Sequence, residues 1–215
     1  MPVICPTITA STEEEYKKQI NNIVHVARRI QVDLTDGDFA PSQTVKPDQA
    51  WWPVGFSADI HLMYNQPMPA IQALIEHKPN LIIVHAETHG SFTDAAAFCH
   101  RYGVKVGVAL LPQTPVDIVL PALEQTDHVL IFSGNLGHQG GSQADFSLLE
   151  KIKILRSHKP ALEIGWDGGI NDQNVAGLVN GGVDVLNVGG YIQEAEDPAR
   201  AFTALQRIAD ETGTT

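Results

Sequence analysis

The stretch IGWDGG at residues 164–169 is a short apolar run that ends on Asp167 and continues into two glycines. A second stretch, QVDLTDG at residues 31–37, has a similar form around Asp33. Short apolar runs of this kind are typical of strands that are buried on both faces of a parallel sheet. Two carboxylates that faced each other across one pocket could take a proton from one face of a carbon and return one to the other face.

Similar runs recur along the chain and alternate with segments that carry apolar residues at helical spacing. The predicted strands are Val3–Thr9, Ile30–Leu34, Ala58–Leu62, Leu81–His85, Val104–Leu110, His128–Phe132, Leu162–Trp166 and Val183–Val188. The predicted helices include Ser11–Arg28, Pro67–His77, Pro115–Gln125, Asp145–Ser157, Asn171–Asn180 and Asp197–Asp210. Alternating strands and helices predict a parallel sheet, and eight units in 215 residues favour a closed barrel over an open doubly wound sheet. We therefore expect an α/β protein in which residues 1–215 form a single (β/α)8 TIM barrel domain.

The segment Asp36–Ser57 interrupts this alternation. It contains three prolines and the pair Trp51-Trp52, which do not fit a regular helix. We expect a loop or a very short helix in place of the second barrel helix. The tryptophan pair would then either cover the shortened helix position or pack a subunit interface.

Composition and charge exclude several classes of protein. The net charge of −11 would repel a phosphate backbone, and no basic patch is visible, so we expect no nucleic-acid partner. No signal-peptide pattern follows Met1 and no run approaches membrane-spanning length, which predicts no membrane partner and a cytoplasmic location. Cys5 and Cys99 are too few and too far apart in the sequence for a disulfide framework or a cysteine zinc site.

Barrel geometry predicts where polar strand residues come together. Active sites of this fold lie at the C-terminal ends of the strands, and side chains alternate along a strand with period two. Gln31 and Asp33 therefore share one face, and we expect Asp33, His61 and Asp167 to point into the barrel mouth. The alternative for each residue alone is that it ends a strand and caps the following turn, as aspartate before glycine often does.

Motifs in order along the chain resemble those of the ribulose-phosphate 3-epimerase family. QVDLTDG stands where the family has HVDVMDG, and DIHLM at residues 59–63 stands where it has DVHLM. Further similar segments are ICPTI at residues 4–8, VHAE at 84–87, GVALLP at 107–112, NLGHQGG at 135–141 and DGGIN at 167–171. The resemblance implies a ribulose-phosphate-binding type of barrel that acts as an isomerase in carbohydrate metabolism.

The resemblance also implies a mechanism: metal-assisted epimerisation at C3 of a ketopentose phosphate, D-ribulose 5-phosphate to D-xylulose 5-phosphate. In that family two aspartates act as acid and base and bind a divalent metal together with two histidines. Asp33 and Asp167 match the aspartates and His61 matches one histidine. The phosphate of the sugar, the small-molecule partner, would lie on the glycines of three loops: Gly140, Gly141, Gly168, Gly169, Gly189 and Gly190. We also expect a homo-oligomer, since barrels of this kind often assemble.

Several positions depart from the family pattern. Gln31 replaces the other metal-binding histidine, and an amide oxygen is a harder and weaker ligand than imidazole for zinc. The cofactor is therefore predicted only as a divalent metal ion, Zn, Mn, Fe or Mg. Thr35, Ala10 and Leu111 also replace family residues. The glycine loop carries the unusual pair His138-Gln139, and one hypothesis is that His138 replaces the lost ligand or closes over the substrate.

Three hypotheses follow, and the first is preferred. The first is the C3 epimerase. The second is another phosphosugar epimerase, isomerase or lyase on the same barrel, although a Schiff-base lyase needs a lysine at a strand end and Lys105 comes early in its strand. The third is a non-catalytic phosphosugar-binding homologue, against which the retained pair of carboxylates argues, because buried charges are costly without a role. His85 either lines the pocket or bonds to Glu87, and His25, His77, His100, His128 and His158 are predicted to be surface residues.

Overall fold

In the computed structural model, which describes residues 1–214, eight parallel strands close into a barrel. Each strand pairs with the next in the sequence, and β1 pairs with β8 to complete the ring. The strands are β1 Val3–Ile8, β2 Arg29–Thr35, β3 Ser57–Met63, β4 Leu81–His85, β5 Lys105–Leu110, β6 His128–Phe132, β7 Glu163–Asp167 and β8 Val185–Val188. The predicted TIM barrel is confirmed, and each predicted strand overlaps one observed strand.

Helices and short helical turns cover the outside of the barrel. The α-helices are α1 Glu13–Ile23, α2 Met68–Leu74, α3 Phe92–Arg101, α4 Leu149–His158, α5 Val175–Asn180, α6 Gly190–Gln193 and α7 Pro198–Gly213. Turns of 3-10 helix lie at Pro47–Gln49, Ile75–His77, Val116–Ile118, Leu120–Gln125 and Phe146–Leu148. Within residues 1–214, no helix has both the length and the apolar character that crossing a bilayer requires.

One predicted helix is wrong. The segment Pro115–Gln125 forms two 3-10 turns instead of an α-helix. Pro121 lies in its middle, where a proline removes a backbone hydrogen bond and clashes with the preceding turn. Helix α3, by contrast, is not among the predicted helices. It begins after Ser91, whose hydroxyl accepts a hydrogen bond from the Asp94 backbone N–H.

The segment Asp36–Ser57 lacks an α-helix, as predicted, and contains one 3-10 turn. Trp52 packs against the main hydrophobic core, whereas Trp51 is 42% exposed. The Tyr16 hydroxyl of α1 donates a hydrogen bond to the Trp51 carbonyl oxygen at 2.7 Å. The segment therefore covers the barrel where a regular helix would otherwise pack.

The inside of the barrel contains both apolar and polar side chains. Small and branched side chains of β4 to β6 form their own buried cluster, made of Leu81, Ile83, Ala109 and Leu130. The buried polar residues include Thr7, Gln31, Asp33, Asp59, His61 and Asn187. Because side chains alternate along each strand, these polar residues share the interior with the cluster rather than the helix-covered outer face.

An ionic network lies at the N-terminal end of the barrel. Arg29 of β2 donates to Asp59 at 2.7 Å and, through both terminal nitrogens, to the Glu163 carboxylate at 2.8 Å. His128 Nδ1 lies 2.8 Å from the same Glu163 carboxylate, and Asn80 donates to Asp59 at 2.7 Å. Burial would raise the pKa of Glu163, but the hydrogen bonds from Arg29 and His128 hold it well below its usual range.

His128 corrects a sequence prediction. It was expected at the surface, but it is 1% exposed and opens β6 with its ring directed into this network. Its position at the first residue of a strand made it look like the edge of a loop. The other four histidines in that group are exposed, as predicted: His25, His77, His100 and His158.

We expect Arg29→Met to lower the free energy of unfolding by about 3 kcal/mol, because removing one partner leaves the Asp59 carboxylate buried without its cation. Urea denaturation followed by circular dichroism measures this. The control is Arg207→Met, since Arg207 makes only a 3.9 Å exposed pair with Glu211 and such pairs contribute at most about 1 kcal/mol. An Arg29 variant no less stable than the control would show that the network does not stabilise the barrel.

Candidate active site

Three potential metal ligands meet at the C-terminal end of the barrel. Asp33 of β2, His61 of β3 and Asp167 of β7 each offer a ligand atom, and these atoms all lie within 4.8 Å of one another. Asp33 and His61 are direct partners in the register of β2 and β3, so their side chains point to the same side. The structure thus brings together the three residues that barrel geometry predicted at one mouth.

The Gln31 amide joins the two carboxylates. Its Nε2 donates to Asp33 Oδ1 at 2.8 Å and to Asp167 Oδ2 at 2.5 Å, and the side chain is fully buried. The Thr9 hydroxyl donates to the other oxygen of Asp33 at 2.6 Å. The amide oxygen of Gln31 has no hydrogen-bond partner among the described residues, and buried polar atoms are rarely left in that state.

The two carboxylates perturb each other. Burial, followed by the negative charge of Asp33, raises the pKa of Asp167 well above its ordinary value, and His61 and the Gln31 amide only partly oppose this. A carboxyl group with a raised pKa can hold a proton near neutral pH and release it in a reaction. The pair therefore combines a group that is able to donate a proton with a neighbouring carboxylate.

A chain of hydrogen bonds fixes the orientation of His61. Its Nε2 lies 2.8 Å from His85 Nε2, and His85 Nδ1 lies 3.3 Å from a Glu87 oxygen. The other Glu87 oxygen accepts hydrogen bonds from the Leu111 backbone N–H at 3.1 Å and from the Thr114 hydroxyl. Of the two interpretations of His85, the hydrogen bond to Glu87 is therefore observed. His85 also contacts His61, a predicted metal ligand.

The protonation of this chain follows from its donors and acceptors. Burial lowers the pKa of His85 to about 4, so its ring is neutral and carries one hydrogen. An ionised Glu87 is only an acceptor, which assigns that hydrogen to His85 Nδ1. His85 Nε2 then accepts from His61 Nε2, and His61 Nδ1 faces Asp33 at 3.1 Å and Asp167 at 3.8 Å. A ring nitrogen that faces two carboxylate oxygens calls for a proton or a cation between them.

A cavity opens above this cluster, and the six glycines predicted to hold the phosphate all line it. We call Gly140, Gly141, Gly168, Gly169, Gly189 and Gly190 the glycine cup. A side chain at Gly168 or Gly169 would collide with the backbone of the residues 133–134 or 143–144, and both have positive φ. A Cβ at Gly190 would lie 2.9 Å from the Gly140 Cα. Close backbone packing thus requires glycine at positions 168, 169 and 190, and all six cup glycines line the cavity.

Other residues at the mouth differ from what the sequence indicated or were not singled out. His138 is exposed and lines the cavity but is not part of the ligand cluster formed within residues 1–214. Thr9, Asn187 and Glu194 also line the cavity and were not singled out by sequence analysis. The sequence could have indicated Thr9 and Asn187, because each is a polar residue at a position where its strand's alternation directs the side chain into the barrel.

The family model for the ribulose-phosphate 3 epimerase family matches residues 3–193. A ribulose-phosphate 3-epimerase of Schizosaccharomyces pombe is 26% identical over 94% of this chain and 92% of its own length. The protein of the same name from Aquifex aeolicus is 30% identical over 92% of each chain.

Solved structures add evidence on the fold alone. A structure of 3-hexulose-6-phosphate synthase from Salmonella typhimurium superimposes with a TM-score of 0.71 over 97% of this chain and 99% of its own, at 15% sequence identity. The match of the family model over most of the chain, together with the sequence relatives along nearly its full length, shows that the chain belongs to the ribulose-phosphate 3-epimerase family.

Proposed function

We propose that this protein catalyses epimerisation at C3 of a ketopentose phosphate, interconverting D-ribulose 5-phosphate and D-xylulose 5-phosphate. One observation carries the proposal: Asp33 and Asp167 lie at the mouth of one barrel, close enough for a single amide nitrogen to bind both. Inverting a carbon that bears an acidic hydrogen requires one group to remove a proton and a second to deliver one to the opposite face.

In this proposal Asp33 and Asp167 are the catalytic residues. One of them, as carboxylate, takes the C3 proton, and the other, as carboxylic acid, returns a proton to the opposite face; the roles exchange in the reverse direction. The raised pKa of Asp167 suits the acid role. The Thr9 hydroxyl and the Gln31 amide hold Asp33 by one hydrogen bond to each oxygen, which fixes the plane of its carboxylate.

The residues at the mouth fit a divalent metal ion, which relatives in this family use. Asp33, Asp167 and Nδ1 of His61 would hold it, and Gln31 would join them through its unpartnered amide oxygen once the amide rotates. When bound, such an ion polarises the carbonyl next to the reacting carbon and stabilises the negative charge that develops on deprotonation. Zn, Mn, Fe and Mg remain candidates, and an amide oxygen among the donors favours the harder ions Mn and Mg over zinc.

The glycine cup is the proposed phosphate site. The loops after the seventh and eighth strands commonly bind phosphate in barrels of this kind, and the cup includes both loops. The cup lines the same cavity as the two aspartates, so one pentose phosphate could reach both. We further propose that residues 1–215 act as one domain, because β1 and β8, which close the barrel, come from opposite ends of the chain.

The Schiff-base variant of the second hypothesis has little support. Lys105 is the first residue of β5 and is exposed, at the end of the barrel away from the cavity. A cytoplasmic location, a homo-oligomer and the lack of a nucleic-acid partner stay predictions from the sequence.

We expect Asp33→Asn and Asp167→Asn each to reduce kcat for xylulose 5-phosphate formation by at least about a thousandfold, because each removes one of two proton-transfer groups. A coupled assay on metal-supplemented protein measures this, and circular dichroism checks that the barrel remains folded. Asp38→Asn, an exposed aspartate in the loop after the same strand, is the matched control and should retain activity. Substantial turnover by either cavity variant would eliminate the two-base mechanism.

We expect Gln31→His to tighten zinc binding by about tenfold or more, because it replaces a hard amide oxygen with imidazole and removes the hydrogen bonds that compete with the metal. Competition with a chromophoric chelator measures the affinity independently of turnover. Gln139→His places an imidazole elsewhere in the same cavity and should leave zinc affinity unchanged. Equal affinities for the wild type and Gln31→His would place residue 31 outside the ligand shell.

A further inference from the structure

A carboxylate lies against the glycine cup. Glu194 follows helix α6, and its backbone N–H donates to the Gly190 carbonyl oxygen at 2.9 Å, which completes the last turn of that helix. Its Oε1 lies 3.1 Å from where a Cβ on Gly140 would be and 3.3 Å from where one on Gly190 would be. The side chain therefore packs on the open faces of two cup glycines.

The charge of the cavity lining makes this position unusual for an anion site. The lining includes three carboxylates, Asp33, Asp167 and Glu194, and no lysine or arginine occurs among the lining residues in the part of the chain that the structure describes. The cup glycines offer only backbone peptide groups, and the side chains that line the cavity around them include Ser142 and the titratable His138. Glu194 is the carboxylate that packs against Gly140 and Gly190, and its sign repels phosphate.

No local interaction accounts for the position of Glu194. Within residues 1–214, its carboxylate takes part in none of the hydrogen bonds or ion pairs, although it is exposed and could extend into solvent. By comparison, the nearby Glu196 is also exposed but does not line the cavity. The two glutamates therefore differ in one respect that matters, their position relative to the cup.

We propose that Glu194 is a specificity-determining residue that weakens binding of the phosphate dianion and shifts the preference of the cup toward the monoanion of a phosphate ester. This inference rests on the proposed function, in that it takes the glycine cup as the phosphate site. A unit negative charge a few Å from a dianion opposes binding by electrostatic repulsion. The repulsion energy falls by half when phosphate takes up a proton near pH 6 and becomes a monoanion.

The test measures binding of inorganic phosphate by isothermal titration calorimetry, with Glu194→Gln, Glu194→Ala and, as matched control, Glu196→Gln. At about pH 8, Glu194→Gln should bind phosphate about tenfold more tightly than wild type, and the gain should shrink at about pH 5.5 and at high salt. Glu194→Ala should show at least the same gain. Glu196→Gln, which makes the same change in net charge, should stay within about twofold of wild type.

Two results would overturn the inference. One is an unchanged phosphate affinity in Glu194→Gln, including the case in which neither it nor wild type binds phosphate. The other is an equal gain in Glu196→Gln, since that would reflect net charge rather than position. The proposed function is judged separately, by conversion of ribulose 5-phosphate. Tighter phosphate binding without turnover would reject the epimerase and keep the inference, whereas normal turnover with unchanged phosphate affinity would reject the inference alone.

Discussion

Closure of the barrel forces two carboxylates into one small interior space, and the polar residues at the barrel mouth are organised around that constraint. Burying two like charges together is costly unless donors or a cation compensate them. The Gln31 amide supplies one nitrogen shared between Asp33 and Asp167, and the Thr9 hydroxyl binds the remaining oxygen of Asp33. These donors satisfy the carboxylate oxygens only in part. The raised pKa of Asp167 reflects the buried negative charge that remains uncompensated.

The two ends of the barrel handle buried charge in different ways. At the N-terminal end Arg29 lies between Asp59 and Glu163, so the negative charges there already have a cation. At the mouth, the Nδ1 of His61 faces the two carboxylates, because its Nε2 is bound by His85, which Glu87 holds in turn. A site made of two carboxylates, a ring nitrogen and an unpartnered amide oxygen is complete only with a cation or protons. That contrast is why the mouth, and not the base, is the proposed reactive end.

The sequence predicted the strands well because each contains a short apolar or alternating run that lies between polar or turn-forming segments. The joint position of Asp33, His61 and Asp167 also followed from alternation and from the rule that barrel sites lie at strand ends. The contacts between side chains could not be predicted. The bond from Gln31 to both aspartates depends on how far the barrel interior closes, and the pairing of His61 with His85 depends on the register of β3 and β4. The surface prediction for His128 was wrong because the first residue of a strand looks polar and peripheral until the network with Glu163 is visible.

The central claim is that the two aspartates move the C3 proton of a phosphosugar held between them and the glycine cup. Proton NMR of D-ribulose 5-phosphate with the metal-supplemented wild-type protein in D2O tests it most directly. The account predicts that the C3 proton signal disappears while D-xylulose 5-phosphate forms with deuterium at that carbon. A C3 signal that persists while the phosphosugar binds to the protein would contradict it.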